Sequence, residues 1–324
     1  MKRVLGLLVF VMLFNSCDDG NLIQEDISFE DVTATQSCTD NDIIYKLKDN
    51  EALLVEIPSV NFTDEDSDLT ETTLTISSTT NRVVYRFYNG TVTADNICET
   101  IPPITPAVTD QWIATGGTIV ITKEAKKETD ATDNSTRITG YNHNIVFKNI
   151  TFSKSTGGTQ VYDVFNFGSY VTTATTLPFG FDETKALNKC STNDQVYKFT
   201  TGEAMELSID PSLIINEITV ANSPRKGIIG TTQNRLTYRL FTAGLLTADY
   251  FCNATTPATP TVNQEWNGVA GVTDKTGLIE VTTTTSGPSS FKHTIVLKNT
   301  TLSKGNYSFS LGDNYTLGVL YTSN

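Results

Sequence analysis

Histidine is almost missing from this chain: two in 324 residues, His143 and His293. Catalytic or structural zinc sites need three or four converging N, S or O ligands, and so few imidazoles exclude a His-rich one. Cysteine is also sparse, and no two of the five are spaced as C-x-x-C, which removes zinc-ribbon and thioredoxin-type redox sites. No Gly-x-Ser-x-Gly elbow is present to expose a nucleophilic serine, and no Gly-rich phosphate loop follows a strand pattern. Basic residues are few, 23 against 36 acidic ones, for a net charge of −13. Nucleic-acid binding rests on neutralising phosphates, so this surface argues against such a partner. It argues equally against polybasic attachment to anionic lipid. Nothing in the sequence calls for a cofactor.

What is present begins at the N-terminus. Lys2 and Arg3 precede the apolar run "VLGLLVFVMLF" (4–14), which is signal-peptide length and shorter than the roughly 20 residues a membrane span needs. The run ends in "FNSC", with Cys17 after the small residue Ser16. This resembles the lipobox of bacterial lipoproteins, in which cleavage leaves a lipidated N-terminal cysteine. Phe14 stands where that motif most often has leucine. The resemblance implies a signal peptide over 1–16 and a membrane anchor at Cys17. Loss of Lys2 and Arg3 with the signal takes the charge from −13 to −15. The next residues, "DDGNLIQED", are acidic and carry no aromatic, which reads as a solvated tether over 17–26. Acidic residues in that place also resemble the surface-export signal of Bacteroidetes lipoproteins. The expectation is an outer-membrane lipid anchor with the body at the cell surface, with a periplasm-facing body as the alternative.

The rest is written twice. "SFEDVTATQSC" (28–38) aligns with "GFDETKALNKC" (180–190), and "NRVVYRFYNGTVTADNIC" (81–98) with "NRLTYRLFTAGLLTADYFC" (234–252). "YNHNIVFKNITFSK" (141–154) returns as "SFKHTIVLKNTTLSK" (290–304), and "FNFG" (165–168) as "FSLG" (309–312). A duplicated unit of roughly 145 residues is far longer than a solenoid or propeller repeat of about 20–50. It predicts two tandem domains, 27–172 and 173–324. Within 83–88, Val83, Tyr85 and Phe87 alternate with Val84, Arg86 and Tyr88, a strand pattern. Further strands are predicted over 43–48, 52–57, 71–77, 118–124, 144–152 and 160–167, with "ATGG" (114–117) and "GVAG" (268–271) as hairpin turns. Short strands without helices point to an all-β fold of two β-sandwich domains. With Cys17 lipidated, four cysteines remain, and duplication selects Cys38–Cys98 and Cys190–Cys252 among three connectivities. Such bridges suit an extracytoplasmic compartment.

Candidate site residues follow from the repeats. His143 and His293 fall on the apolar face of one strand pattern, with Ile145 and Phe147 or Ile295 and Leu297 beside them, and this predicts buried structural imidazoles. Arg82, Arg86, Arg235 and Arg239 recur with Asp95 and Asp249 of the "TAD" turns. They read either as a ligand-contacting polar face or as Arg–Asp pairs pinning each turn. Trp112 and Trp266 are candidate aromatic contacts or core residues. Asp64, Asp66 and Asp68 alternate as in a calcium loop, but the glycine and terminal glutamate of that loop are missing, which leaves a weak metal candidate. Glu51 with Glu203, and Asp95 with Asp249, are the repeat-matched acids a carboxylate-based hydrolase would draw on.

Together, the lipobox-like Cys17, the acidic tether, the paired cysteines and the "YRFYNG…TAD…C…P…W…HNIVFKN" pattern resemble uncharacterised lipoproteins of flavobacteria and related Bacteroidetes. That resemblance implies a cell-envelope location and brings no catalytic residue. The expected function is non-catalytic: binding of a glycan or protein, or adhesion. A carboxylate-based glycan-active enzyme and a structural subunit of an envelope complex are the alternatives.

Overall fold

The computed structural model describes residues 26–63, 71–242, 244–253 and 255–323. Cys17, its flanking leader and the Asp64, Asp66, Asp68 loop lie outside the described residues. The chain is all-β. The first half contains β1 (Gln36–Ser37), β2 (Ile43–Lys48), β3 (Glu51–Glu56), β4 (Glu71–Thr75), β5 (Arg82–Tyr88), β6 (Val108–Thr129), β7 (Thr136–Ser153) and β8 (Thr159–Thr173). The second contains β9 (Asn188–Lys189), β10 (Gln195–Phe199), β11 (Glu203–Ser208), β12 (Arg225–Ile228), β13 (Arg235–Thr242), β14 (Thr261–Gly268), β15 (Leu278–Thr285), β16 (Ser290–Lys298), β17 (Thr301–Lys304), β18 (Tyr307–Ser310) and β19 (Asn314–Ser323). Two one-turn helices, α1 (Asp95–Cys98) and α2 (Asp249–Cys252), begin at the "TAD" aspartates.

In the first half one antiparallel sheet runs β1-β2-β3-β5-β6-β7-β8, with β4 added on β6. Strand β6 makes this possible because it is long enough to serve two layers. Its Val108–Ile113 stretch pairs with β5, while Thr118–Thr122 pairs with β4. Between them the register slips at Ala114, Gly116 and Thr118, and the sheet curls over its own face. Gly117 sits there at φ +112°, and a Cβ would lie 2.8 Å from the Asn149 carbonyl oxygen. The predicted hairpin turn at "ATGG" is therefore a mid-strand corner. In the second half the corresponding strands are interrupted, which leaves a seven-stranded sheet, β18-β17-β14-β13-β11-β10-β9, and a four-stranded one, β12-β15-β16-β19.

The curled sheet encloses a core of Leu53, Val55, Val83, Tyr85, Trp112, Ile145 and Phe147 among others, each at most 2% exposed. Side chains alternate across a strand, so the set comes from one face of each. Each such burial contributes about 1.5–3 kcal/mol. The opposite face of β2, β3 and β5 is also covered. Tyr45, Leu54, Val84 and Tyr88 pack under α1 through Val92 and Ile97. The Cys38–Cys98 disulfide, with Cα atoms 5.3 Å apart, ties α1 to that face, and Cys190–Cys252 does the same for α2 at 5.4 Å. Closing loops of these lengths contributes about 4 kcal/mol each in the chain-entropy picture.

The halves meet at the far end of the β6–β7 hairpin. Tyr141 belongs to the second half's core, with Ala125 and Ile138 packed against it. The Arg137 guanidinium lies 4.5 Å from the centre of the Phe179 ring and donates to the Ser310 carbonyl at 3.3 Å. Asn134 Nδ2 donates to Asp313 at 2.8 Å, and the Ser310 amide to Thr136 Oγ1 at 2.7 Å.

Candidate functional site

The residues a catalytic reading would draw on are tied into the fold. His143 and His293 are fully buried. His293 shares hydrogen bonds with Thr283 and Thr322, both at 2.8 Å. His143 shares one with Thr172 at 2.9 Å, with the Phe62 ring edge-on at 5.1 Å. Its other nitrogen has no partner, because the residue across the ladder is Lys123 where the second half has Thr283. Burial, with the Lys123 charge adding to it, pushes the His143 imidazole down to about 4. The repeat-matched glutamates are anchors too. Tyr85 donates to Glu51 and Tyr238 to Glu203, each at 2.6 Å. Glu203, 2% exposed, also accepts the Phe179 and Gly180 amides at 2.9 and 2.7 Å.

Trp112 and Trp266 are 1% and 2% exposed, which corrects their reading as candidate ligand contacts. Their indole N–H groups donate to Asp110 and Gln264, two residues back on the same face, at 2.9 and 3.0 Å. The Arg–Asp pinning is also corrected. Arg82 pairs with Glu56 at 3.0 Å and Arg86 donates to Gln111 at 2.8 Å. Asp95 and Asp249 instead open the one-turn helices near Tyr45 and Tyr197, whose phenols are pushed up by burial and then by those charges. The disulfides hold these helices in place. Among the described residues no cluster of three or more His, Cys, Asp or Glu is placed to hold a metal ion.

An open cleft lies beside α1 in the first half. One chamber, about 480 Å³, lies under the "IPPITPA" loop and is lined by Arg86, Tyr88, Asn96, Pro102, Ile104 and Gln111 among others. A second, about 220 Å³, shares Arg86, Asn96 and Pro102 and adds Leu54, Glu56 and Arg82. Glu56 and Ile43 pass it on to a wider hollow of about 610 Å³ bordered by Asp40, Asp42 and Phe62. The sequence places Arg82, Leu54, Arg86 and Tyr88 here because β3 and β5 turn these positions to the outer face. Helix α1 and the proline loop supply the opposite wall.

The donors of this cleft are incompletely used. Arg86 makes no ion pair among the described residues, and its one hydrogen bond goes to the neutral Gln111. Arg82 Nε and the Tyr88 hydroxyl are buried without partners, and Tyr88 is 3% exposed. Asn96 accepts from Thr93 through Oδ1, and its Nδ2 makes no hydrogen bond within the described residues. A buried hydroxyl left unpaired costs about 1–3 kcal/mol, so this wall is polar at a standing cost.

The second half has the same frame with its arginine engaged, and it keeps a hollow of about 440 Å³ beside Asp194, Gln195 and Pro211. Glu51–Phe87 and Leu54–Val84 pair across the ladder as Glu203–Leu240 and Glu206–Thr237 do. Leu54 is thus replaced by Glu206, Gln111 by Glu265, Asn96 by Tyr250 and Tyr88 by Phe241. Arg239 bonds Glu206 through Nη1 and Glu265 through Nε, the latter at 2.7 Å. Gln195 also donates to Glu206. Burial pushes the Glu206 carboxyl up despite these partners. In Glu265 burial is outweighed by the guanidinium, which holds it below the usual range. Tyr250 and Phe241 are buried, with their rings 5.2 Å apart. Arg239 is therefore not equivalent to Arg86 as a ligand candidate, while Arg235 is exposed at the surface.

No family model, curated protein or solved structure matches the chain. The class that the fold and cleft define is an all-β, disulfide-stapled protein with an open arginine-lined groove beside α1.

Proposed function

We propose that this chain is a non-catalytic lipoprotein of the bacterial cell envelope, anchored through Cys17 on an acidic tether, whose folded body binds a partner at the cell surface. One observation carries the binding reading: the first half keeps an open cleft with unused donors where the second half engages the matching arginine with its own Glu206 and Glu265. A site retained against a cost in stability is a mark of function. The absence of a catalytic role is supported by where the acids and imidazoles go. Glu51, Glu203 and Glu206 serve tyrosine, backbone and arginine, and both histidines sit in the core. A carboxylate pair acting across a cleft has no support from these groups.

Protease shaving of intact cells tests the location, with an antibody against the second half and a periplasmic protein as control. Loss of the signal while the control survives is the expected result. Protection that disappears only on lysis would contradict surface display and direct the search to a periplasmic partner.

A further inference from the structure

We infer that the Arg82–Arg86 cleft binds a carboxylate on an aliphatic peptide chain, such as the C-terminus of a partner protein ending in a branched apolar residue. This deepens the binding reading and rests on it. The carboxylate follows from the chain's own second half. There the arginine at the matching position holds Glu206 on Nη1 and Glu265 on Nε. In the first half Gln111 takes only Nε, and Leu54 leaves the rest of the guanidinium without a counter-charge. A guanidinium fork with free N–H groups matches a carboxylate in geometry as well as charge. Tyr88 and Asn96 add a hydroxyl and an amide donor beside it, where the second half has Phe241, which lacks the hydroxyl, and Tyr250, whose ring packs on it.

The peptide class follows from the walls. Pro102, Pro103, Ile104, Pro106 and Val108 are aliphatic, and Ile104 is 90% exposed. The one aromatic lining these two chambers is Tyr88, too buried to offer a ring face to a sugar. Exposed aliphatic surface next to an arginine fork suits a leucine-like side chain next to a terminal carboxylate, a known mode of peptide capture.

The test is a titration of the whole chain, followed by the backbone amide signals of β5 and α1, with three probes. These are N-acetyl-Ala-Leu with a free C-terminus, the same dipeptide as its C-terminal amide, and a galacturonate trimer. The expected result is saturable perturbation by the free acid and affinity weaker by about tenfold or more for the amide, as loss of a charge-assisted hydrogen bond implies. Arg86→Gln should remove the response with the amide fingerprint unchanged. Leu54→Glu, which supplies the second half's built-in carboxylate, should also remove it. Because that variant inserts an acid at a buried place, Arg86→Gln decides if it fails to fold. Saturation by the uronate trimer and not by the dipeptide would overturn the peptide assignment while leaving a binding cleft. Dipeptide binding that survives Arg86→Gln, or no response to any probe, would overturn the inference; surface display, measured by shaving, stands or falls separately.

Discussion

At the scale of single residues, the twice-placed histidine is one structural solution with an uneven finish. Thr283 satisfies both nitrogens of His293 together with Thr322, while Lys123 leaves one nitrogen of His143 unpartnered. The consequence is a pH dependence with a definite sign. His143 is pushed down to about 4 by burial and by Lys123, against an ordinary value of 6.5. The unfolded chain therefore binds its proton first as pH falls. The contribution to stability is complete above about 6.5 and is lost progressively toward 4, by about 3 kcal/mol at most. Chemical denaturation of the wild type and of His143→Leu between pH 7 and 4 checks this. The variant should lose less stability over that window, and parallel curves would refute the assignment. His293, lowered by burial and then by Arg225, acts in the same direction.

At the scale of elements, β5 shows what sequence could and could not disclose. Its alternation was legible, and so was the sharing of a face by Tyr141, His143, Ile145 and Phe147, because period 2 survives in the residues themselves. The strands at 43–48, 71–75 and 82–88 lie where alternation predicts them. That β6 and β7 run unbroken for 22 and 18 residues was not legible, since Gly116 and Gly117 look like a turn when read locally. Burial of both faces of β5 was also hidden, because the cover comes from α1, too short to leave a helical period. The disulfides were readable from the matched sequence segments alone. The cleft is half-legible: Arg82 and Arg86 recur in both halves, while the residues that separate one half from the other belong to no motif. Leu54, Tyr88, Asn96 and Gln111 carry the site, and their signal is divergence at otherwise matched positions.

The β6–β7 hairpin makes a prediction of its own. Tyr141, 3% exposed, fills the second half's core from the first half's hairpin, with the Tyr307 ring 4.9 Å away. Tyr141→Ala should cost about 3–5 kcal/mol, as large aromatic truncations do. The damage should appear far away in sequence, as faster amide exchange in β17 and β18. Faster exchange confined to β7 would show that the hairpin does not support the second half.

At the scale of the whole molecule, the two halves, matched in ladder position, divide into one whose Arg86 has no ion pair among the described residues and one whose matching arginine is engaged. The second half closes its outer face with Glu206, Glu265 and Tyr250 and lends its core to the seam. The first keeps the matching face open at the cost of unpaired donors. A chain of net charge −13 thus carries a local arginine site that a carboxylate can use, shielded by proline and isoleucine. Calorimetric titration of the chain with N-acetyl-Ala-Leu tests this division most directly, through the number of sites. One site per chain is predicted, lost in Arg86→Gln and unaffected by Arg235→Gln. Two sites per chain, or heat that persists in Arg86→Gln and disappears in Arg235→Gln, would contradict it.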